Sequence, residues 1–260
     1  MANSKKKEAI ILEWTFTPPD YFEETVRIVR DNYEMTLDKG KVKATIDAQY
    51  FDGEPDFRLK LHESLNSRFL AAQILTQKPF ELSEPSMSRI HPDGRIDKYL
   101  HAQPIKFKLT VGPADFIVTD RNGKEISDSR RERIERMKSI SGLVEKHRAN
   151  NPLLQGILES HSSSIRKPEN ELVYLYEIRD ALSKEFGGKE ATCRVLNISD
   201  GSWGRFGRLA NDEPLKQGRH RGWNLGFLRD ATEDELVEAR TFIRELIEKY
   251  LDYLENIRHP

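Results

Sequence analysis

The chain has a single cysteine, Cys193, among 260 residues. A disulfide needs two, so neither a disulfide framework nor a cysteine-built metal cluster can form within it. Long apolar runs are also missing. None approaches the roughly 20 residues of a membrane-spanning helix, so no membrane partner is expected. Excess charge of either sign is absent, with 42 Lys and Arg against 43 Asp and Glu. A neutral chain does not gather polyanions through its overall field, so any contact with nucleic acid must come from a local patch.

Several motifs are absent as well. There is no G-x-x-x-x-G-K-[ST] phosphate loop, no H-E-x-x-H and no G-x-S-x-G nucleophile elbow. The seven histidines, His62, His91, His101, His147, His161, His220 and His259, are scattered. No two lie four apart on a helical pattern, so no metal site is expected. Nothing in the chain calls for a cofactor. The basic run Lys5-Lys6-Lys7 precedes an apolar segment too short for a secretory signal and reads as a frayed tail. Together these absences point to a soluble cytoplasmic protein.

Charged residues make up 33% of the chain, so many helices must carry a fully solvated face. The length suits one large domain or two ordinary ones, and a core of that size needs no staples.

The hydrophobic period changes along the chain. In the first half it is two. Ile10, Leu12, Trp14 and Phe16 alternate up to Pro18-Pro19, and Val42, Ala44, Ile46 and Ala48 alternate after a turn at Asp38-Lys39-Gly40. Short strands are expected at Val26–Val29 and at 33–37. Hairpins are expected around His91-Pro92-Asp93-Gly94, and over 105–111 and 115–119 with a turn at Asn122-Gly123. One interruption is helical: Leu61, Leu65, Phe69, Ala72 and Leu75 recur on one face.

In the second half the period is helical. Ile134, Met137, Ile140 and Val144 share a face, and Asn150-Asn151-Pro152 restarts the chain. Leu153, Leu154, Ile157 and Leu158 give a short helix, and another opens at Pro168 and closes at Gly187-Gly188. Short helices follow at 190–196 and 200–210. The last begins with a capping box, Thr232 and Glu235, and carries an apolar stripe from Leu236 to Leu254. The fold class is therefore α+β: an antiparallel β-rich domain over 1–127 with one helix, then a helical bundle over 128–260.

One segment stands out for chemistry. Arg219, His220 and Arg221 sit in a row between Gly218 and Gly222. Between residues 201 and 229 there are six basic residues, Arg205, Arg208, Lys216, Arg219, Arg221 and Arg229, and two acidic ones, Asp212 and Glu213. Trp203, Phe206, Trp223 and Phe227 are interleaved. Cations hold a phosphate backbone, the planar guanidinium matches phosphate oxygens, and aromatic rings stack on bases. Glycines allow backbone amides close to an anion. The competing structural reading makes Trp203, Phe206 and Leu209 core and pairs the arginines with carboxylates of the bundle.

Three weaker signals accompany it. Residues 190–208 have the outline of a helix-turn-helix that would carry Arg205 and Arg208 to a major groove. Gly201, Gly204 and Gly207 make a poor recognition helix, and two packed short helices give the same pattern. Arg130, Arg131, Arg133 and Arg136 crowd a helix N-terminus, against its dipole, which suggests a local anion, but a solvated face with i, i+4 pairs, offset by Glu132, Glu135 and Glu145, is the better account. His91-Pro92-Asp93-Gly94-Arg95 has the residues that a tight hairpin demands.

The blocks Ser88-Arg89-Ile90-His91-Pro92-Asp93-Gly94-Arg95, Leu175-Tyr176-Glu177-Ile178-Arg179-Asp180-Ala181-Leu182 and 209–222 resemble those of a family of uncharacterised bacterial proteins. That resemblance spans most of the chain and brings no activity with it. The helical half is also similar to HEPN-type bundles, which occur in RNA-cleaving toxins and phage-defence proteins. Such nucleases carry an Arg and a His four to six residues apart. Here that spacing is met by Arg95 and His101, in the β-rich half, while Arg219 and His220 are adjacent.

The leading expectation is a binding or sensing protein that contacts a phosphate-bearing partner, nucleic acid, through Arg205, Arg208, Lys216, Arg219, His220, Arg221 and Trp223. The resemblance to HEPN bundles implies an alternative, a divergent ribonuclease with His220 as acid or base and Arg219 stabilising developing charge. A third expectation is a structural homo-oligomer or partner-interaction protein with the segment at its interface.

Overall fold

The computed structural model describes residues 7–99, 117–119, 125–219 and 226–257. The expected strand over 105–111 and the turn at Asn122-Gly123 lie outside them, as do Lys5, Lys6 and His101. The chain is an antiparallel sheet followed by helices, an α+β protein. It divides into two compact units, residues 1–69 with 80–136, and residues 70–79 with 137–260.

The first unit is built on β1 (Ala9–Thr17), β2 (Val26–Val29), β3 (Tyr33–Asp38) and β4 (Lys41–Asp47). After them come α1 (Ala48–Gly53) and α2 (Phe57–Thr76), then β5 (Glu81–Leu82), β6 (Ser86–Ile90) and β7 (Ile96–Tyr99). The sheet order is β2-β3-β4-β1-β6-β7, with β5 on the end of β1, and every pairing is antiparallel. Alternation sets the faces. Ile10, Leu12, Trp14 and Phe16 of β1 and Val42, Ala44 and Ile46 of β4 are all buried, while Glu13, Lys41 and Lys43 point to solvent. Lys39 and Gly40 both have positive φ at the β3–β4 turn, the geometry of a tight hairpin.

Phe57, Leu61, Leu65 and Phe69 recur every fourth residue on α2 and are buried. Phe69 meets Phe16, Tyr21, Phe22 and Phe80 with ring centroids 5.0–5.2 Å apart, and the Tyr21 hydroxyl donates to the Phe69 carbonyl. The short helix α1 had no periodic signal. Asp47 starts it by accepting the Gln49 and Tyr50 amides.

A two-stranded ladder, β8 (Ile117–Thr119) with β9 (Glu125–Asp128), leads into α3 (Ser129–His147). One of the arginines at the start of α3 meets a carboxylate: Glu23 takes a two-point grip from Arg133 at 2.8 Å. The Arg130 guanidinium donates to the Glu23 carbonyl, and the Asp128 carboxylate caps the helix by accepting the backbone amides of Arg130 and Arg131.

The second unit is helical. It holds the end of α3, then α4 (Pro152–Arg166), α5 (Glu171–Glu185), α6 (Lys189–Val195), α7 (Asp200–Asn211) and α8 (Glu233–Ile257). Helix α5 packs on α4, α6, α7 and α8. Its Leu172, Leu175, Ile178 and Leu182 are buried together with Ala239, Phe242, Ile243, Leu246 and Ile247 of α8. Helix α4 runs well past the expected Leu158, because His161, Ser162 and Ser164 are buried polar residues that no apolar stripe announces. The capping box of α8 forms: the Thr232 amide donates to Glu235 at 2.8 Å and the Glu235 amide to the Thr232 hydroxyl at 3.3 Å. No helix among the described residues is long and apolar enough to cross a membrane.

Candidate functional site

Residues 201–211 belong to α7, as expected, and 212–219 form a connection held by backbone hydrogen bonds. Ser199 caps α7 by accepting the Ser202 amide. Trp203, Phe206 and Leu209 form the buried face of α7, and Phe206 stacks on Phe242 of α8 at 5.1 Å. These aromatics are core, so they are not free to stack on bases. Phe227 is the opposite case and is fully exposed.

The connection after α7 is fixed by its backbone. Leu215 bridges Arg229: the Lys216 amide donates to the Arg229 carbonyl and the Arg229 amide to the Pro214 carbonyl, both at 3.0 Å. The Arg219 amide donates to the Ala210 carbonyl at 2.9 Å. Gly218 lies where a Cβ would come 3.3 Å from the carbonyl oxygens of Ala210 and Leu215, so a side chain there would crowd this closure.

The nominated cations divide into two groups. Arg205 faces Glu238 of α8 at 3.1 Å. Lys216 pairs with Asp230 at 2.8 Å. Arg229 grips both oxygens of Glu235, at 2.6 and 2.7 Å, and reaches Glu213 at 3.5 Å. The Arg229 guanidinium is the main reason the Glu235 carboxyl falls to about 2. Arg208 and Arg219 have no carboxylate partner among the described residues. His220, Arg221 and Trp223 lie outside the described residues. A cleft of about 240 Å³ along α7 and α8 is lined by Phe206, Leu209, Phe242 and Thr241, and its cation is the already paired Arg205.

Arg219 lies instead on a ring. Its guanidinium carbon is 4.0 Å from the centre of Tyr176 on α5. A second guanidinium, that of Arg179, is 4.4 Å from the same ring and 4.9 Å from Trp203. Tyr176 and Arg179 are three apart on α5 and so share a face. Nη2 of Arg179 donates to the Tyr176 hydroxyl at 3.2 Å, while its Nε and Nη1 are shielded from solvent and have no hydrogen-bond partner. Burial lowers the Arg179 proton affinity; Tyr176 and Asp180 oppose that shift, and the neighbouring Arg219 charge adds to it. Of the nearby carboxylates, Asp180 offsets part of the Arg179 charge at a distance without an ion pair, and Glu177 accepts from Ser160 at 3.1 Å.

Gly207 completes the arrangement. A Cβ on it would come 2.6 Å from Nη1 of Arg179, so its bare backbone is what lets this guanidinium lie against α7. Sequence reading missed Arg179 and Tyr176, which sit inside an ordinary amphipathic pattern. The signals that could have found them are their i, i+3 spacing and a glycine in the interior of α7.

No family model matches the chain, and no curated protein or solved structure does. Among the described residues no group of three His, Cys, Asp or Glu side chains could hold a metal ion. Arg179 and Arg219 offer guanidinium groups held on an aromatic ring, with no carboxylate ion pair among the described residues.

Proposed function

We propose that this protein binds a phosphate-bearing partner, nucleic acid, through Arg208, Arg219 and Arg179 on the face of the bundle formed by α5, α7 and the connection after α7. The observation that carries the reading is the uneven pairing of the cations. Arg205, Lys216 and Arg229 each meet a carboxylate, whereas Arg179, Arg208 and Arg219 meet none among the described residues. In a chain of net charge −1, a local excess of guanidinium calls for an external anion. Guanidinium suits phosphate because its fork matches two oxygens at once.

The test is binding of labelled single-stranded RNA and DNA by fluorescence anisotropy across a salt series. Affinity is expected to fall steeply between 50 and 200 mM salt, with a log–log slope of roughly 0.7 per phosphate contact. Arg208→Ala with Arg219→Ala should weaken binding about tenfold or more and flatten the slope. Unchanged affinity in the double variant would reject the reading.

A further inference from the structure

The guanidiniums of Arg179 and Arg219 differ from four other cations of their unit. Arg205, Lys216, Arg229 and Arg240 each meet a carboxylate. Arg179 and Arg219 meet a shared ring, Tyr176, at 4.4 and 4.0 Å. Two like charges at one ring repel, and the ring's face offsets only part of that repulsion. Nε and Nη1 of Arg179 add charged donors that are shielded from water and unbonded. Among the described residues neither guanidinium has a carboxylate in an ion pair, and Asp180 offsets Arg179 only from a distance.

Both arms are already placed. The backbone of Arg219 is tied to Ala210, and Arg179 is seated between Tyr176 and Trp203 against the bare backbone of Gly207. Arg219 is exposed and Arg179 is half-buried, so the pair has an outer and an inner arm.

We propose that Arg179 and Arg219 form a clamp for a terminal phosphate monoester, the phosphorylated end of a nucleic-acid strand, in preference to an internal phosphodiester. The inference rests on the nucleic-acid reading above and narrows its ligand. A terminal phosphate carries close to two negative charges at neutral pH and three acceptor oxygens. An internal diester carries one charge and two free oxygens. The monoester matches the charge of the two guanidiniums better than a diester does.

The experiment uses the full chain and three single-stranded 12-mers of one sequence, ending in a 5′-phosphate, a 3′-phosphate or hydroxyls only. Affinities come from fluorescence anisotropy, with the dye on the end opposite the phosphate and inorganic phosphate as competitor. At least one phosphorylated strand should bind about tenfold or more tightly than the hydroxyl strand, and inorganic phosphate should remove that advantage.

Arg219→Ala and Gly207→Ala should both abolish the advantage. Gly207→Ala displaces only the far end of Arg179 and puts a better helix former into α7, so it tests the clamp in a folded protein. Lys184→Ala, which removes an exposed cation of α5, should keep the advantage. Equal binding of all three strands with a steep salt dependence would overturn the clamp and leave the nucleic-acid reading standing. Failure of all three to bind would overturn both. An advantage that survives both Arg219→Ala and Gly207→Ala would also overturn the clamp.

Discussion

Arg240 grips both oxygens of Glu171: its Nε donates to Oε1 at 2.6 Å and its Nη2 to Oε2 at 2.9 Å. The two partners are not equivalent. The Glu171 side chain is 6% exposed, whereas that of Arg240 is 28% exposed and also reaches Glu233. Arg240→Ala leaves a buried carboxylate without its partner and should cost about 3 kcal/mol. Glu171→Ala leaves a cation that keeps Glu233 and some solvent, and should cost roughly half as much. Urea unfolding of the two variants checks the asymmetry, and equal losses would contradict it.

The capping box of α8 has a second use, because Glu235 also holds Arg229 and so ties the connection after α7 to the helix. Thr232→Ala should lower stability by about 1 kcal/mol, or roughly 3 °C in melting temperature. Glu235→Ala should cost more, since it removes the box and the partner of Arg229 together. The Glu235 carboxyl is held at about 2 rather than its ordinary 4.5, first by Arg229. Its contribution is complete above pH 4.5 and lost as the pH falls towards 2. Melting curves of both variants would test the order.

His161 of α4 gives a different pH window. It is fully buried, its Nε2 lies 3.1 Å from Nε2 of Gln77, and desolvation lowers its pKa from 6.5 to about 4. In the unfolded chain the ring takes up a proton near pH 6.5, while in the folded protein it resists until about pH 4. Its contribution is thus complete above pH 6.5 and lost progressively as the pH falls to about 4. The loss is on the order of 3 kcal/mol. His161→Gln should flatten the decline in stability over that window, as read by denaturant unfolding at several pH values. A decline as steep as in the parent would count against it.

The cation pairing makes a prediction about binding. Arg205→Ala and Lys216→Ala each remove a charge already met by Glu238 or Asp230. Each should weaken binding of single-stranded RNA by less than about threefold, because the freed carboxylate and lost cation are rim charges in solvent. Arg219→Ala should weaken it by a larger factor. A titration in which the four residues Arg205, Arg208, Lys216 and Arg219 contribute alike would mean that the patch acts only as diffuse charge.

The elements were legible where the period was clean. The alternation of Ile10, Leu12, Trp14 and Phe16 places β1, and Thr232 with Glu235 marks the start of α8. The short helix α1 and the second half of α4 were not legible. The first rests on one capping carboxylate, Asp47, and the second buries His161, Ser162 and Ser164, where an apolar stripe would be sought.

The candidate site was legible only in outline. The segment 201–229 was marked by its cations and rings, yet composition cannot say which cation has a carboxylate opposite. Arg205 and Arg208 look alike in sequence and differ in Glu238. Arg179 was hidden because its relation to Arg219, Trp203 and Gly207 crosses from α5 to α7 and the connection beyond.

By itself, the sequence determined the change from period two to helical period, the capped last helix and a chain with no net charge to spare. These follow from local rules, since neighbours along the chain decide periodicity and caps. Tertiary structure alone decided that two arginines 40 positions apart share the Tyr176 ring and that Gly207 leaves room for one of them. Charge pairing and ring stacking act through space over a few ångströms, and only the packing of α5 and α7 sets which side chains come that close.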